Sequence, residues 1–254
     1  MSSEGIRRLG ELVDTLGLER IEANLFRGQA QDPGWGRLYG GHVLGQALSA
    51  AAQTVPAERL VHSLHSYFLR PGRVDTPVVY EVDRIRDGGS FTTRRVVAIQ
   101  RGKAIFNLAA SFQVDEPGLD HQAEMPDLPG PEGLISELDL ARRVADKIPP
   151  PLRAVALSEG PFEVRAIEPY SPLNPKPRAP SRAIWFKARG PVRADPAVHR
   201  YLLAYASDSH FLGTSMFPHG ASWLQPHMQV ASVDHAMWFH RPFQVNEWLL
   251  HVID

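Results

Sequence analysis

The apolar positions of the chain change period several times, and each change predicts an element. Ile6, Leu9, Val13 and Leu16 recur at helical spacing and predict a short amphipathic helix. A strand over Arg20 to Arg27 follows, then a glycine-rich loop, GWGRLYGG, ending at Gly41. His42 to Thr54, HVLGQALSAAAQT, predicts a helix apolar enough to be buried, with its alanines and Gly45 packed closely against something flat. Four strand-like runs come next: Leu60–Leu69, Pro77–Arg86, Phe91–Gln100 and Ala104–Val114. The connections RPG, DGGS and RGK between them are hairpin chemistry and predict an antiparallel meander. One helix and one curved sheet bury each other's apolar faces, which makes the fold class α+β.

Proline then interrupts the pattern. More than half of the 22 prolines lie between Pro117 and Pro180, so this stretch forms no continuous sheet or helix. One short helix is predicted inside it, around Glu132 to Asp146, from the spacing of Leu134, Leu138 and Ala141. Beyond the prolines the first order of elements returns. Gly160–Glu168 and Arg182–Arg189 are strands, and Asp195-Pro196 caps and opens a helix through AVHRYLLAYASDSHFL. A long strand, Met228–His240, and a last one from near Glu247 complete the chain. Tyr67-Phe68-Leu69-Arg70-Pro71 matches Trp238-Phe239-His240-Arg241-Pro242 at the same place in both halves, which points to an internal duplication. The expected organisation is a first unit over 1–115, a Pro-rich linker over 116–159 and a second unit over 160–254. The second unit stops before its last strands, and the edge this leaves open points to a further C-terminal tail in the natural protein.

Composition narrows the function. With 27 Lys+Arg against 28 Asp+Glu, the net charge of −1 gives no overall basic footprint for nucleic acid. There is no cysteine, hence no thiolate nucleophile, disulfide or Cys-ligated metal. No apolar run is long enough to span a membrane, and the charged N-terminus lacks the core of a signal peptide, so a cytoplasmic location is expected. The 11 histidines include no H-E-x-x-H or comparable cluster, so neither metal nor cofactor is expected. The glycines before the first long helix are neither G-x-G-x-x-G nor a P-loop. They read as a loop that lets backbone pass close to the helix. Arg84, Arg86, Arg94 and Arg95 could meet ligand phosphates but read as solvated residues of an exposed sheet face.

Two residues that a family resemblance, given in the next paragraph, singles out have local settings that bear on chemistry. Asp208 sits towards the C-terminal end of its predicted helix, where the helix dipole disfavours a carboxylate. It lies beside Tyr205, Phe211 and Leu212, an apolar setting that raises proton affinity. A solvated acid or local cap is the simpler reading of the same residue. Ser232 is placed in a strand, where its hydroxyl could hold a water. There is no G-x-S-x-G elbow, and Asp234 and His235 point to opposite faces of that strand, so a Ser-His-Asp triad is not expected.

Taken together, YGGHVLGQAL, HSLHSYFLRPG, RDGGSFTTRRVVAIQ, YASDSHFL and VDHAMWFHRPF resemble the acyl-CoA thioesterase II family, in that family's order and over nearly the whole chain. The resemblance implies a double hotdog, two curved antiparallel sheets each wrapping a long helix. It implies hydrolysis of fatty acyl-CoA to free fatty acid and coenzyme A by direct attack of water, without metal or covalent intermediate, in a homo-oligomer. Carried over residue by residue, Asp208 matches the family's water-activating acid and Ser232 its water-orienting hydroxyl. The family's Gln falls beyond Asp254, and Gln225, Gln229 and Gln244 do not match its motif. His42 stands where the family often has Gln. Two other readings remain open. One is a hydratase of enoyl-CoA, whose paired Asp and His are approached by Asp208 and His210. The other is a non-hydrolytic acyl-CoA binding protein, for which the missing Gln position argues.

Overall fold

The computed structural model describes residues 3–193 and 195–254. Helix α1 (Ser3–Leu16) turns Leu9, Leu12 and Leu16 inward, while Ile6, on the predicted stripe, stays at the surface. The strand expected over 20–27 is instead a hairpin, β1 (Glu19–Glu22) and β2 (Leu25–Gly28), because Ala23 and Asn24 form a turn. Helix α2 (Gly40–Ala52) follows. The four strands of the meander lie where the pattern puts them: β3 (Arg59–Phe68), β4 (Val78–Asp87), β5 (Phe91–Gln100) and β6 (Lys103–Val114). Helix α2 lies against this sheet, and Leu44 and Leu48 pack into a core with Phe26, Tyr80, Val96, Phe106, Leu108 and Phe112.

The linker carries two short helices where one was expected. They are α3 (Glu137–Arg143), capped by Ser136, and α4 (Pro150–Ala156). The prolines of α4 sit in its first turn, where their missing N–H groups cost nothing. Beyond it come β7 (Phe162–Ala166) and β8 (Arg182–Ala188). Helix α5 (Pro196–Ser207) opens as its cap predicts, with Asp195 accepting from the Ala197 N–H at 2.9 Å. It stops five residues earlier than the pattern suggested, at Ser207 instead of Leu212. His210 turns left-handed at φ 73°, and a separate short helix, α6 (Phe211–Ser215), follows.

The largest departure is the strand expected over 228–240, which is only β9 (Asp234–Trp238). Its one neighbour, β3, offers partners only from Ser63 to Tyr67. Residues 228–231 run exposed outside the sheet, and Ser232 lies in this irregular stretch instead of in a strand. The last strand is β10 (Leu249–Ile253). Seven strands form one sheet in the order β1-β2-β4-β5-β6-β3-β9, and three form another, β10-β8-β7.

Strand β9 pairs with β3 at the matched motifs. Ser63 pairs with Trp238, His65 with Ala236 and Tyr67 with Asp234. Since Tyr67 matches Trp238 in sequence, His65 matches its own partner Ala236, and a local two-fold relation passes between them. The two long helices cross this junction antiparallel. A Cβ on Gly41 would lie 2.2 Å from the Tyr205 carbonyl oxygen, and one on Gly45 would lie 3.1 Å from that of Tyr201. The small face of α2, expected against a flat surface, therefore meets the backbone of α5.

Candidate active site

Asp208 caps the C-terminus of α5, and the antiparallel packing sets it under the N-terminus of α2. Its carboxylate accepts the Gly41 backbone N–H. The Ser232 hydroxyl donates to its Oδ1 at 3.1 Å. The two residues proposed from sequence thus meet, across 24 positions of chain. Burial raises the Asp208 carboxyl, and the Ser232 and Gly41 hydrogen bonds draw it part of the way back, leaving it at about 6. The dipole of α5 opposes the charge and that of α2 favours it, a compensation that the reading of a single helix did not contain.

Tyr39, Gly40 and Gly41 form the other wall and were not singled out as site residues. The Tyr39 hydroxyl donates to the Tyr205 carbonyl at 3.0 Å, and burial followed by the Asp208 charge holds its phenol protonated. The glycines were legible as a loop allowing close approach. What they approach, 168 positions away, was not legible. His42 is buried and bonds the Gln29 carbonyl through Nε2 at 3.0 Å, beside Gln46, which donates to the same carbonyl at 3.1 Å. It secures the strand-to-loop passage after β2.

The remaining candidates are not brought to Asp208. Asp234 faces solvent and pairs with His65 at 3.5 Å, and His235 Nε2 lies 3.0 Å from Ser207 Oγ. Neither hydrogen-bonds Ser232, and the reason is not strand alternation, since Ser232 lies outside β9. Arg84, Arg86 and Arg95 are exposed, as expected of a solvated face, but Arg94 is not. It is 1% exposed, with Nε donating to Thr54 Oγ1 and Nη2 to Asp87, and it ties α2 to the sheet. Among the described residues no group of three or more His, Cys, Asp or Glu could hold a metal ion. No helix among them is long and apolar enough to cross a membrane.

The residues just before and after Asp208 line a cavity of about 230 Å³, whose walls include neither Asp208 nor Ser232 themselves. Phe162, Val164, Ile184 and Phe186 of the small sheet line one side. Tyr205, Ala206, Ser209 and His210 line the other, with Trp35 and Tyr39 of the glycine-rich loop over it. Its walls are mostly apolar, and its polar side chains include Ser209 and His210 on the turn after Asp208.

A buried acid of raised proton affinity, a hydroxyl hydrogen-bonded to it and an apolar cavity lined by the neighbouring turn are features that a hydrolase acting on a substrate with an apolar tail would need. Comparison with known proteins agrees. Residues 158–254 match the model of the acyl-CoA thioesterase family, and residues 31–113 match that of the acyl-CoA thioesterase N-terminal domain. Acyl-CoA thioesterase 2 of Haemophilus influenzae is 42% identical over 97% of this chain and 86% of its own length. The crystal structure of acyl-CoA thioesterase II TesB2 from Mycobacterium marinum is 39% identical and superposes with a TM-score of 0.74, covering 96% of this chain and 84% of that one. A hot dog fold protein from Alicyclobacillus acidocaldarius shares only 20% identity, yet has a TM-score of 0.71 over 95% of this chain and 84% of its own. The chain belongs to the acyl-CoA thioesterase family and has the hotdog fold, with antiparallel sheets and helices.

Proposed function

We propose that the chain hydrolyses fatty acyl-CoA thioesters to free fatty acid and coenzyme A, with Asp208 activating the attacking water and Ser232 orienting it. The observation that carries this reading is the hydrogen bond from the Ser232 hydroxyl to the Asp208 carboxylate, on the same turn as the Ser209 and His210 that line an apolar cavity. A carboxyl at about 6 is ionised at neutral pH yet basic enough to take a proton in the transition state. Water held between the carboxylate and the hydroxyl adds to the thioester carbonyl and gives its proton to Asp208. Collapse of the tetrahedral species breaks the carbon–sulfur bond, and the proton passes to the departing thiolate. The acyl chain occupies the cavity between α5 and the small sheet. On this reading residues 1–115 and 160–254 are the two units of a duplicated hotdog, joined by the Pro-rich segment over 116–159.

The test is free thiol release from a panel of acyl-CoA esters, with Asp208→Asn alongside. Release by the parent that collapses in the variant supports the assignment. Equal turnover by both removes Asp208 from the reaction, and no release from any ester removes hydrolysis.

A further inference from the structure

Asp208 is followed by a turn that needs holding. Ser209 Oγ donates to the Ala206 carbonyl at 2.6 Å, and His210 adopts φ 73°, a conformation uncommon for any residue with a Cβ. Such a conformation persists where its surroundings fix it. Here the fixing groups are side chains on both nitrogens of the imidazole. Nδ1 lies 2.9 Å from Ser209 Oγ, and Nε2–H donates to Glu137 Oε2 at 3.3 Å. Glu137 is the first residue of α3, 73 positions away in the linker. Its other oxygen accepts from Arg182 of β8, and the β-bridge of Ser136 with Arg165 ties the same turn to β7. The Glu137 carboxylate is thereby fixed to the small sheet and reaches back to the residue two places beyond Asp208. His251 of β10 and His235 of β9 also face this corner, and the Phe211 ring meets both edge-on at 5.4 and 6.2 Å.

We infer that Glu137 is a positioning residue for hydrolysis, acting through His210 to hold the turn that sets Asp208 under α2. The inference rests on the role given to Asp208 above. It gives the linker a task in the reaction beyond joining two units. Burial raises the Glu137 carboxyl, but the His210 hydrogen bond and the charges of His210 and Arg182 outweigh it and leave the group below the ordinary Glu range. It is thus an anionic acceptor at neutral pH.

The experiment measures kcat and KM of the full chain on a medium-chain acyl-CoA for Glu137→Ala, His210→Ala and the double variant. Thermal midpoints and Asp208→Asn are recorded alongside. Each single variant is expected to lose about tenfold or more in kcat, since small misplacements of reacting groups carry losses of that size, with KM nearly unchanged. The double variant should lose no more than the worse single one, because both substitutions break one path. Glu137→Gln keeps an acceptor for Nε2 and should recover most of the rate, which tests the idea even where Glu137→Ala folds poorly. Parental kcat in Glu137→Ala, losses that multiply in the double variant, or no recovery in Glu137→Gln overturns the inference. If Asp208→Asn is inactive while Glu137→Ala is parental, only the positioning role falls. Parental turnover in Asp208→Asn removes the reading beneath it as well.

Discussion

Gly40 leaves no room for a side chain above Asp208: a Cβ there would lie 2.5 Å from Oδ2 and 2.8 Å from the ring of Phe68. Relief requires the carboxylate or the N-terminus of α2 to shift. Gly40→Ala is therefore expected to lower kcat/KM by about 10²-fold, the scale of a 1 Å misplacement. Steady-state rates with circular dichroism as a check on folding would decide it. Retention of full activity would show that the close approach is dispensable.

The carboxyl at about 6 predicts an acid limb in kcat/KM, with activity rising as pH passes through that value. Ser232 donates to the carboxylate and lowers its proton affinity, so Ser232→Ala should move the limb to higher pH as well as reduce the plateau. A limb that stays in place in Ser232→Ala would mean that Asp208 does not produce it.

The same burial makes Asp208 a cost to stability. A folded value raised from 3.8 to about 6 means that the unfolded chain releases this proton first, so stability is fully present below about pH 4 and is lost as pH rises through 6. The loss is about 3 kcal/mol at most. Asp208→Asn should thus melt higher than the parent at pH 8 and nearly level with it at pH 4, a comparison that calorimetry at the two pH values makes directly.

Val164 and Ile184 line the cavity away from the Asp208 turn. A ring added at Val164 takes up space in a cavity of about 230 Å³. Val164→Phe is expected to reduce turnover of long-chain esters several-fold more than that of short-chain esters, in the ratio of their kcat/KM values. An unchanged ratio would place the acyl chain elsewhere.

The meander of β3 to β6 was legible because its alternation and glycine turns are local. So was the start of α5, where Asp195 and Pro196 carry the signal within three residues. The hairpin β1–β2 was missed because Ala23 is not a turn residue by type. The strand around Ser232 failed for a different reason: residues 228–232 have the composition of a strand, but β3 ends at Phe68, whose N–H reaches only the Val233 carbonyl. Within the site, Asp208 and Ser232 were reached through family motifs. Gly40 and Gly41 were noticed without their partner, and Glu137 carried no signal at all. Those contacts depend on how two distant helices and a linker pack, and spacing along the chain does not encode that.

The two long helices end differently. The residue that caps α5 is Asp208, and the one that caps α2 is Gln53, which is exposed and whose amide reaches only its own helix, at Ser49 Oγ, 3.4 Å away. In an assembly of two identical subunits both ends would carry the same residue, and every substitution would appear twice. On the proposed reading of a duplicated hotdog, the burial cost of a charged carboxylate is borne at one end only, and the other end carries a neutral, exposed side chain.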